Sequence, residues 1–341
     1  MIPVTRVRPL RSASATRGSE MSNAIEADGL VREYKGGVRA VNEVSLRVAD
    51  GEIYGFLGPN GAGKSTTVRM LATLLRPTAG HARVAGFDVV ADAAKVRTKI
   101  GIALQDAAID PWMTGRELLH LTAALHNFSR VDGRARAQAL LEQVDIVDAA
   151  DRRVGTYSGG MRRRLDLALS LVHAPSILFL DEPTTGLDPL SRQTVWEEVR
   201  RLNVQHGATI FLTTQYLEEA DQLAGRVGII DGGKIVAEGT PEALKAEIGS
   251  SSLAITVEDN AKVADARKVL ARFGTVGDGA GAAQTVSLSR GAEAVADVVR
   301  DLDAAGIKVS TLELHKPTLD DVFLAKTGRA LGGDDAETAA A

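Results

Sequence analysis

Gly58-Pro-Asn-Gly-Ala-Gly-Lys-Ser65 is the stretch that decides the fold. Its pattern, G-x-x-x-x-G-K-S, describes a loop wrapped around the phosphates of a nucleoside triphosphate. The flanks supply the setting this loop needs. Glu52-Ile-Tyr-Gly-Phe-Leu57 reads as a buried strand, and Thr67-Val-Arg-Met-Leu-Ala-Thr-Leu-Leu75 as a helix with an apolar face. Glycine lets backbone N–H groups close around an anion, and the helix start adds its positive end. The expected phosphate pocket is Gly58, Pro59, Asn60, Gly61, Ala62, Gly63, Lys64, Ser65 and Thr66. Lys64 would reach the β- and γ-phosphates of ATP, and the Ser65 hydroxyl would take a place on Mg²⁺.

Further along, Ile177-Leu-Phe-Leu-Asp-Glu-Pro183 is an apolar strand ending in two carboxylates. The carboxyl end of a buried strand is where nucleotides bind in open α/β sheets. Asp181 is therefore expected to position Mg²⁺, and Glu182 to orient and deprotonate the attacking water. The bland alternative is a charged pair that merely closes a strand. Between the two motifs, Tyr157-Ser-Gly-Gly-Met-Arg-Arg-Arg-Leu165 places a Ser-Gly-Gly turn before a long helix, a second helix start suited to an anion. Arg162 to Arg164 read as a solvated helix face.

Composition narrows the rest. The 341 residues suit one large and one smaller domain, and 45% hydrophobic content suffices for a sizeable core. A net charge of −4 gives no reason to expect a nucleic-acid partner. With no cysteine, disulfides, zinc–thiolate sites and iron–sulfur clusters are excluded. The most apolar stretch, Leu167 to Leu180, is interrupted by His173 and Pro175 and is too short to span a membrane. The first twenty residues hold four arginines without an apolar core, a poor secretory signal; residues 1–20 are a disordered arm or a mis-assigned start ahead of Met21.

Alternation marks an antiparallel pair at Ala24–Val31 and Ala40–Val48, joined at Lys35–Gly37, and another hairpin around Asp231–Gly233. His81–Phe87 reads as a strand and the pattern from about 89 to 157 as helical, while Ser176–Leu180 and Ala208–Thr214 read as buried parallel strands. The pattern changes near Gly249. Residues 249–327 alternate strand and helix as a small α+β domain whose last helix is Thr318–Thr327, and residues 328–341 read as a disordered tail.

The order of phosphate loop, Gln105 after an apolar strand, Ser158-Gly-Gly160, Asp181-Glu-Pro183 and Thr185-Gly-Leu-Asp188 resembles the ATP-binding-cassette (ABC) ATPases over about residues 24–245. More narrowly, Tyr157–Arg164, Thr213-Thr-Gln-Tyr-Leu-Glu-Glu-Ala-Asp221 and Pro317-Thr-Leu-Asp-Asp-Val-Phe323 resemble the daunorubicin-resistance type of ABC transporter ATP-binding subunit. The resemblance implies an α/β P-loop ATPase domain at 21–248, with a mixed sheet core, an antiparallel β part and a helical subdomain, plus the C-terminal α+β unit. It implies that Tyr34 stacks on adenine, that Gln105 touches Mg²⁺ and the attacking water, and that Ser158, Gly159 and Gly160 contact ATP held by a second copy. Asp188 would communicate between the two sites. With Lys64 and Glu182, Gln215 completes the expected catalytic set; it stands where the wider superfamily has a switch histidine, and glutamine can donate a hydrogen bond there but cannot titrate near neutral pH. Met161 likewise replaces a usual glutamine. The implied partners are a second copy, head to tail, and a multi-span permease that exports a drug, an antibiotic or a lipid, with the chain peripheral on the cytoplasmic side. Soluble ABC ATPases acting on ribosomes or DNA usually carry two cassettes or coiled-coil arms. Importer ATPases usually carry a β-rich C-terminal addition, and a nucleotide-sensing regulator would not need Glu182.

Overall fold

The computed structural model describes residues 22–105, 109–249, 251–277, 281–329 and 331. The expected N-terminal arm and Met21 lie outside the described residues. β1 (Asn23–Glu33) and β2 (Arg39–Ala49) pair antiparallel, as their alternation predicts. β3 (Ile53–Leu57) runs into the phosphate loop and α1 (Lys64–Leu71). β4 (Ala79–Val84) and β5 (Phe87–Asp88) complete a four-stranded antiparallel sheet in the order β2-β1-β4-β5.

After α2 (Ala93–Arg97), β6 (Ile100–Ala103) pairs parallel with a later strand of the central sheet. The helical reading of 89–157 is corrected at this point, and the apolar strand expected ahead of Gln105 is found: Ile100-Gly-Ile-Ala103 is too short to show a period, and pairing makes it a strand. The helical layer follows it, as α3 (Gly115–Leu125), α4 (Arg130–Gln143) and then α5 (Gly159–Ser170). Thr114 caps α3 with a reciprocal Glu117 bond, and Ser158 caps α5 by accepting from the Met161 N–H.

The chain continues through β7 (Ile177–Asp181), α6 (Pro189–His206), β8 (Thr209–Thr214), α7 (Leu217–Leu223), β9 (Arg226–Asp231), β10 (Lys234–Gly239) and α8 (Pro241–Ile248). The central sheet has the order β10-β9-β3-β8-β7-β6, parallel except for the β9–β10 hairpin. Its inner strands are covered on both faces, so they read as unbroken apolar runs rather than alternating ones. Leu178, Leu180, Ile210 and Leu212 face the helices, while Phe179 and Phe211 face the antiparallel sheet. On that side Tyr54, Phe56 and Phe179 surround Phe211, with ring centroids 5.5, 5.4 and 5.7 Å away.

The C-terminal unit comprises β11 (Ser252–Val257), α9 (Val263–Leu270), β12 (Gly274–Val276), β13 (Ala283–Leu288), α10 (Val295–Ala304) and β14 (Val309–His315). Its strands form an antiparallel sheet, β12-β13-β11-β14, whose own core includes Leu253, Ile255, Leu270, Val286, Val298 and Leu302. The last helix, α11 (Leu319–Thr327), does not belong to that core. Leu319, Val322 and Phe323 pack instead with Leu57, Ala220, Val227, Ile229 and Leu244 of the ATPase unit. Lys326 also pairs with Glu247 at 2.8 Å. Of the tail expected from 328, Gly328 closes α11 at φ 75 and Arg329 reaches Asp231 at 2.6 Å, while residues 330 and 332–341 lie outside the described residues.

Candidate active site

The phosphate loop leaves the carboxyl end of β3 between two backbone neighbours. A Cβ at Gly58 would lie 2.3 Å from the Ile230 carbonyl oxygen, and one at Gly63 would lie 2.4 Å from that of Ala40. Gly63 also holds φ 107, a conformation that a side chain would strain. Gly58 and Gly63 are therefore fixed by crowding behind the loop, whereas Gly61, with open space around it, is fixed by its φ of 77 alone.

In front of the loop lies a cavity of about 270 Å³ lined by Ala40, Asn60, Gly61, Gly63, Lys64, Ser65, Thr66, Gln105 and Glu182. The Lys64 Nζ donates to the Gly58 carbonyl at 2.7 Å and the Pro59 carbonyl at 3.0 Å. It also pairs with Glu182 Oε1 at 3.1 Å, with both side chains only 4% exposed. Burial of this kind makes breaking the pair costly unless a new partner replaces the lost one. The second Glu182 oxygen accepts from the Thr185 hydroxyl at 3.2 Å. Asp181 stands beside the cavity rather than on its wall: its Oδ1 accepts from Ser65 Oγ at 3.1 Å and Thr213 Oγ1 at 2.5 Å. Glu182 sits at φ 49, and its N–H donates to the Thr213 carbonyl and hydroxyl, both at 3.1 Å.

The other expected residues stand further out. Gly58, Pro59 and Ala62 form the back of the loop and do not line the cavity. Tyr34 is 38% exposed, with the Arg32 guanidinium 4.9 Å from its ring centroid. Gln215 is half-buried just beyond β8, where the Thr214 hydroxyl accepts from the Tyr216 N–H at 2.9 Å. Ser158 and Gly159 are exposed. Gly160 packs on the Asp188 loop, where an added Cβ would meet Ser191 Oγ at 2.8 Å. The Asp188 carboxylate accepts from the Ser191 hydroxyl at 2.6 Å and N–H at 2.9 Å, which holds its pKa below the ordinary value. Ser158, Gly160 and Asp188 thus share one surface, outside this chain's own phosphate cavity.

The arginine run is only partly a solvated face: Arg162 is exposed, whereas Arg163 is largely covered. Arg162 donates to the Tyr157 carbonyl and Arg164 to those of Val144 and Asp145. Arg163 is buried against Asp166 at 3.1 Å, where burial pushes the Asp166 carboxyl up to about 6 while the guanidinium pulls it back. Sequence reading also missed Ala40, Thr213 and Glu219. Ala40 has no local signal, and Thr213 showed only as a strand end. Glu219 is fully buried and accepts from the Thr184 hydroxyl at 2.8 Å and the Trp196 indole at 2.9 Å; burial raises its pKa.

This sheet, with a phosphate loop on one strand and two carboxylates ending another, defines an ATP-hydrolysing cassette. An ABC transporter family model matches residues 41–185, and one for the C-terminal domain of DrrA1-3-like ATP-binding proteins matches residues 239–327. The daunorubicin resistance ATP-binding protein DrrA3 of Streptomyces coeruleorubidus is 48% identical over 305 residues, covering 89% of this chain and 96% of that protein. The daunorubicin/doxorubicin resistance protein DrrA of Streptomyces peucetius is 46% identical over 328 residues, covering 94% and 98%. Among solved structures, a dimeric ATP-binding cassette bound to ADP and Pi matches with TM-score 0.59 at 25% identity, over 63% of this chain and 98% of that one. The chain belongs to the DrrA family of ABC transporter ATP-binding proteins. It is an ATP-binding, ATP-hydrolysing transporter subunit.

Proposed function

We propose that this chain powers a separately encoded export permease for a drug, an antibiotic or a lipid, docked on its cytoplasmic side and working as a head-to-tail pair. The observation that carries the pairing is the outward position of Ser158, which caps α5 on an exposed surface away from the cavity of its own chain. The Ser158-Gly-Gly160 turn would meet a γ-phosphate in a second copy. No helix among the described residues is long and apolar enough to cross a membrane, and the transport path is assigned to the permease. The relatives named for daunorubicin and doxorubicin resistance support export.

Two hard oxygen donors, Ser65 Oγ and Asp181 Oδ1, lie 3.1 Å apart beside Lys64, a donor set that fits Mg²⁺. Ser65, Asp181 and Gln105 would hold the ion, which would supply positive charge to offset that of the phosphates. Lys64 exchanges its carbonyl partners for the β- and γ-phosphates. Glu182, released from the lysine, accepts the proton of the attacking water, and the Thr185 hydroxyl steadies its other oxygen. Tyr34 offers an exposed ring face to adenine.

Gln215 would donate a hydrogen bond to the γ-phosphate, worth ~1.5–3 kcal/mol to a charged acceptor. Gln215→Ala is then expected to slow turnover by roughly 10–150-fold. Gln215→His should stay active and gain a pH dependence near an unperturbed imidazole's pKa of about 6.5. Alanine turnover at the parental rate removes Gln215 from the reaction. The pairing is tested by light scattering of the Glu182→Gln protein: saturating Mg-ATP should convert monomer to dimer, and a persistent monomer refutes the shared site. Co-purification with the permease, followed by cargo-stimulated ATPase measurement, tests the export assignment.

A further inference from the structure

We propose that Arg163 is a positioning residue of ATP hydrolysis, tying the peptides beside Gln105 and Glu182 to the helix that begins at Ser158. The proposal rests on the reading of Glu182 as the base. The Arg163 side chain, 11% exposed, donates from Nη1 to the Leu104 carbonyl at 2.8 Å and from Nη2 to the Asp181 carbonyl at 3.0 Å. Its Nε donates to the Pro183 carbonyl at 2.8 Å. One guanidinium therefore holds the residue before Gln105 and the residues on both sides of Glu182. Asp166 Oδ2, 3.1 Å from Nη1, fixes the plane of the fork from the same helix.

The grip matters because of the backbone it holds. Glu182 adopts φ 49, a left-handed conformation that non-glycine residues leave unless their surroundings enforce it. Here the carbonyls before and after it are taken by Arg163, and its own N–H by Thr213. This kink turns the carboxylate toward Lys64 and the cavity. A loosened kink would leave the nucleotide cradle intact and displace the proton acceptor. The same fork makes a mechanical link. Ser158 caps the helix that carries Arg163, so a shift of α5 on engagement of a second copy moves the Gln105 and Glu182 peptides with it. Lysine cannot substitute, because an ammonium is a point donor without a rigid fork.

The test compares Arg163→Lys with the double variant Arg163→Met/Asp166→Leu, which removes the buried pair together and strands no charge. Thermal melting reports folding, a fluorescent ATP analogue reports Kd, and steady-state ATPase assays give kcat and KM. Both variants should bind ATP as the parent does, with kcat lowered about 10- to 100-fold, the scale of a misplaced reacting group. A purely structural role would lower stability and leave kcat per folded molecule unchanged. Parental kcat in folded Arg163→Lys overturns the proposal even if the double variant fails to fold, and so does a raised KM with kcat intact. Glu182→Gln measured alongside separates the two readings. If it is slow while the Arg163 variants are fast, only the brace fails; if it is itself fast, the assignment of the base fails.

Discussion

Glu182→Gln is expected to leave ATP bound and slow its hydrolysis by ~10²–10⁴-fold, the usual worth of a general base. The amide matches the carboxylate in shape, so it keeps the bond from the Thr185 hydroxyl and the packing of a side chain that is 4% exposed. It loses the ability to take a proton. It also frees Lys64 from its only carboxylate contact within 4 Å among the described residues, which favours the phosphates. Lys64→Ala is the counterpart: it removes the cation at the centre of the loop, and ATP binding should be lost. Fluorescent-nucleotide titration and phosphate release measured on both variants decide the matter. Parental turnover in Glu182→Gln would contradict the assignment.

Phe323→Ala should destabilise the ATPase unit by about 3–5 kcal/mol, the cost of deleting a fully buried aromatic side chain. Phe323 is 0% exposed, in a cluster with Leu57, Val227 and Leu244 rather than within the C-terminal sheet. Its loss should therefore shift the melting of the nucleotide-binding unit, visible as a lower midpoint with and without ATP. Truncation after Glu247 is expected to be worse. It uncovers the faces on which Leu319, Val322 and Phe323 sit, and the product should aggregate instead of binding nucleotide as a clean fragment. An unchanged melting midpoint for Phe323→Ala would show that α11 is an ornament.

What could be read from the sequence followed from how locally each feature is encoded. The phosphate loop, the Asp181–Glu182 strand end and the β1–β2 pair each occupy one continuous stretch, and strand, turn or alternation announces them. β6 has only four residues and lies between helices, so period alone could not mark it; only its place ahead of Gln105 in the motif order did. Sequence order alone groups α11 with its neighbours, because amphipathicity shows that a helix has an apolar face but not which core receives it. The arginine run misled for a related reason. Polar residues on a helix read as solvated, yet the partners of Arg163 are carbonyl groups, which every residue has and no sequence pattern displays.

The docking of α11 on the ATPase unit also bears on how the protein is made. Leu57 ends the strand that leads into the phosphate loop, yet the cluster it belongs to is completed by one of the chain's last helices. Synthesis adds ~5–20 residues per second, N-terminus first. The nucleotide-binding strand therefore emerges long before its final covering, and one apolar face of the unit waits in water until the C-terminal sheet has been made and passed. An incomplete product of translation carries that bare face as a mark of its incompleteness, open to chaperones and proteases. Only a chain that has reached α11 can hide it, so the competence of the first motif is certified by the arrival of one of the last.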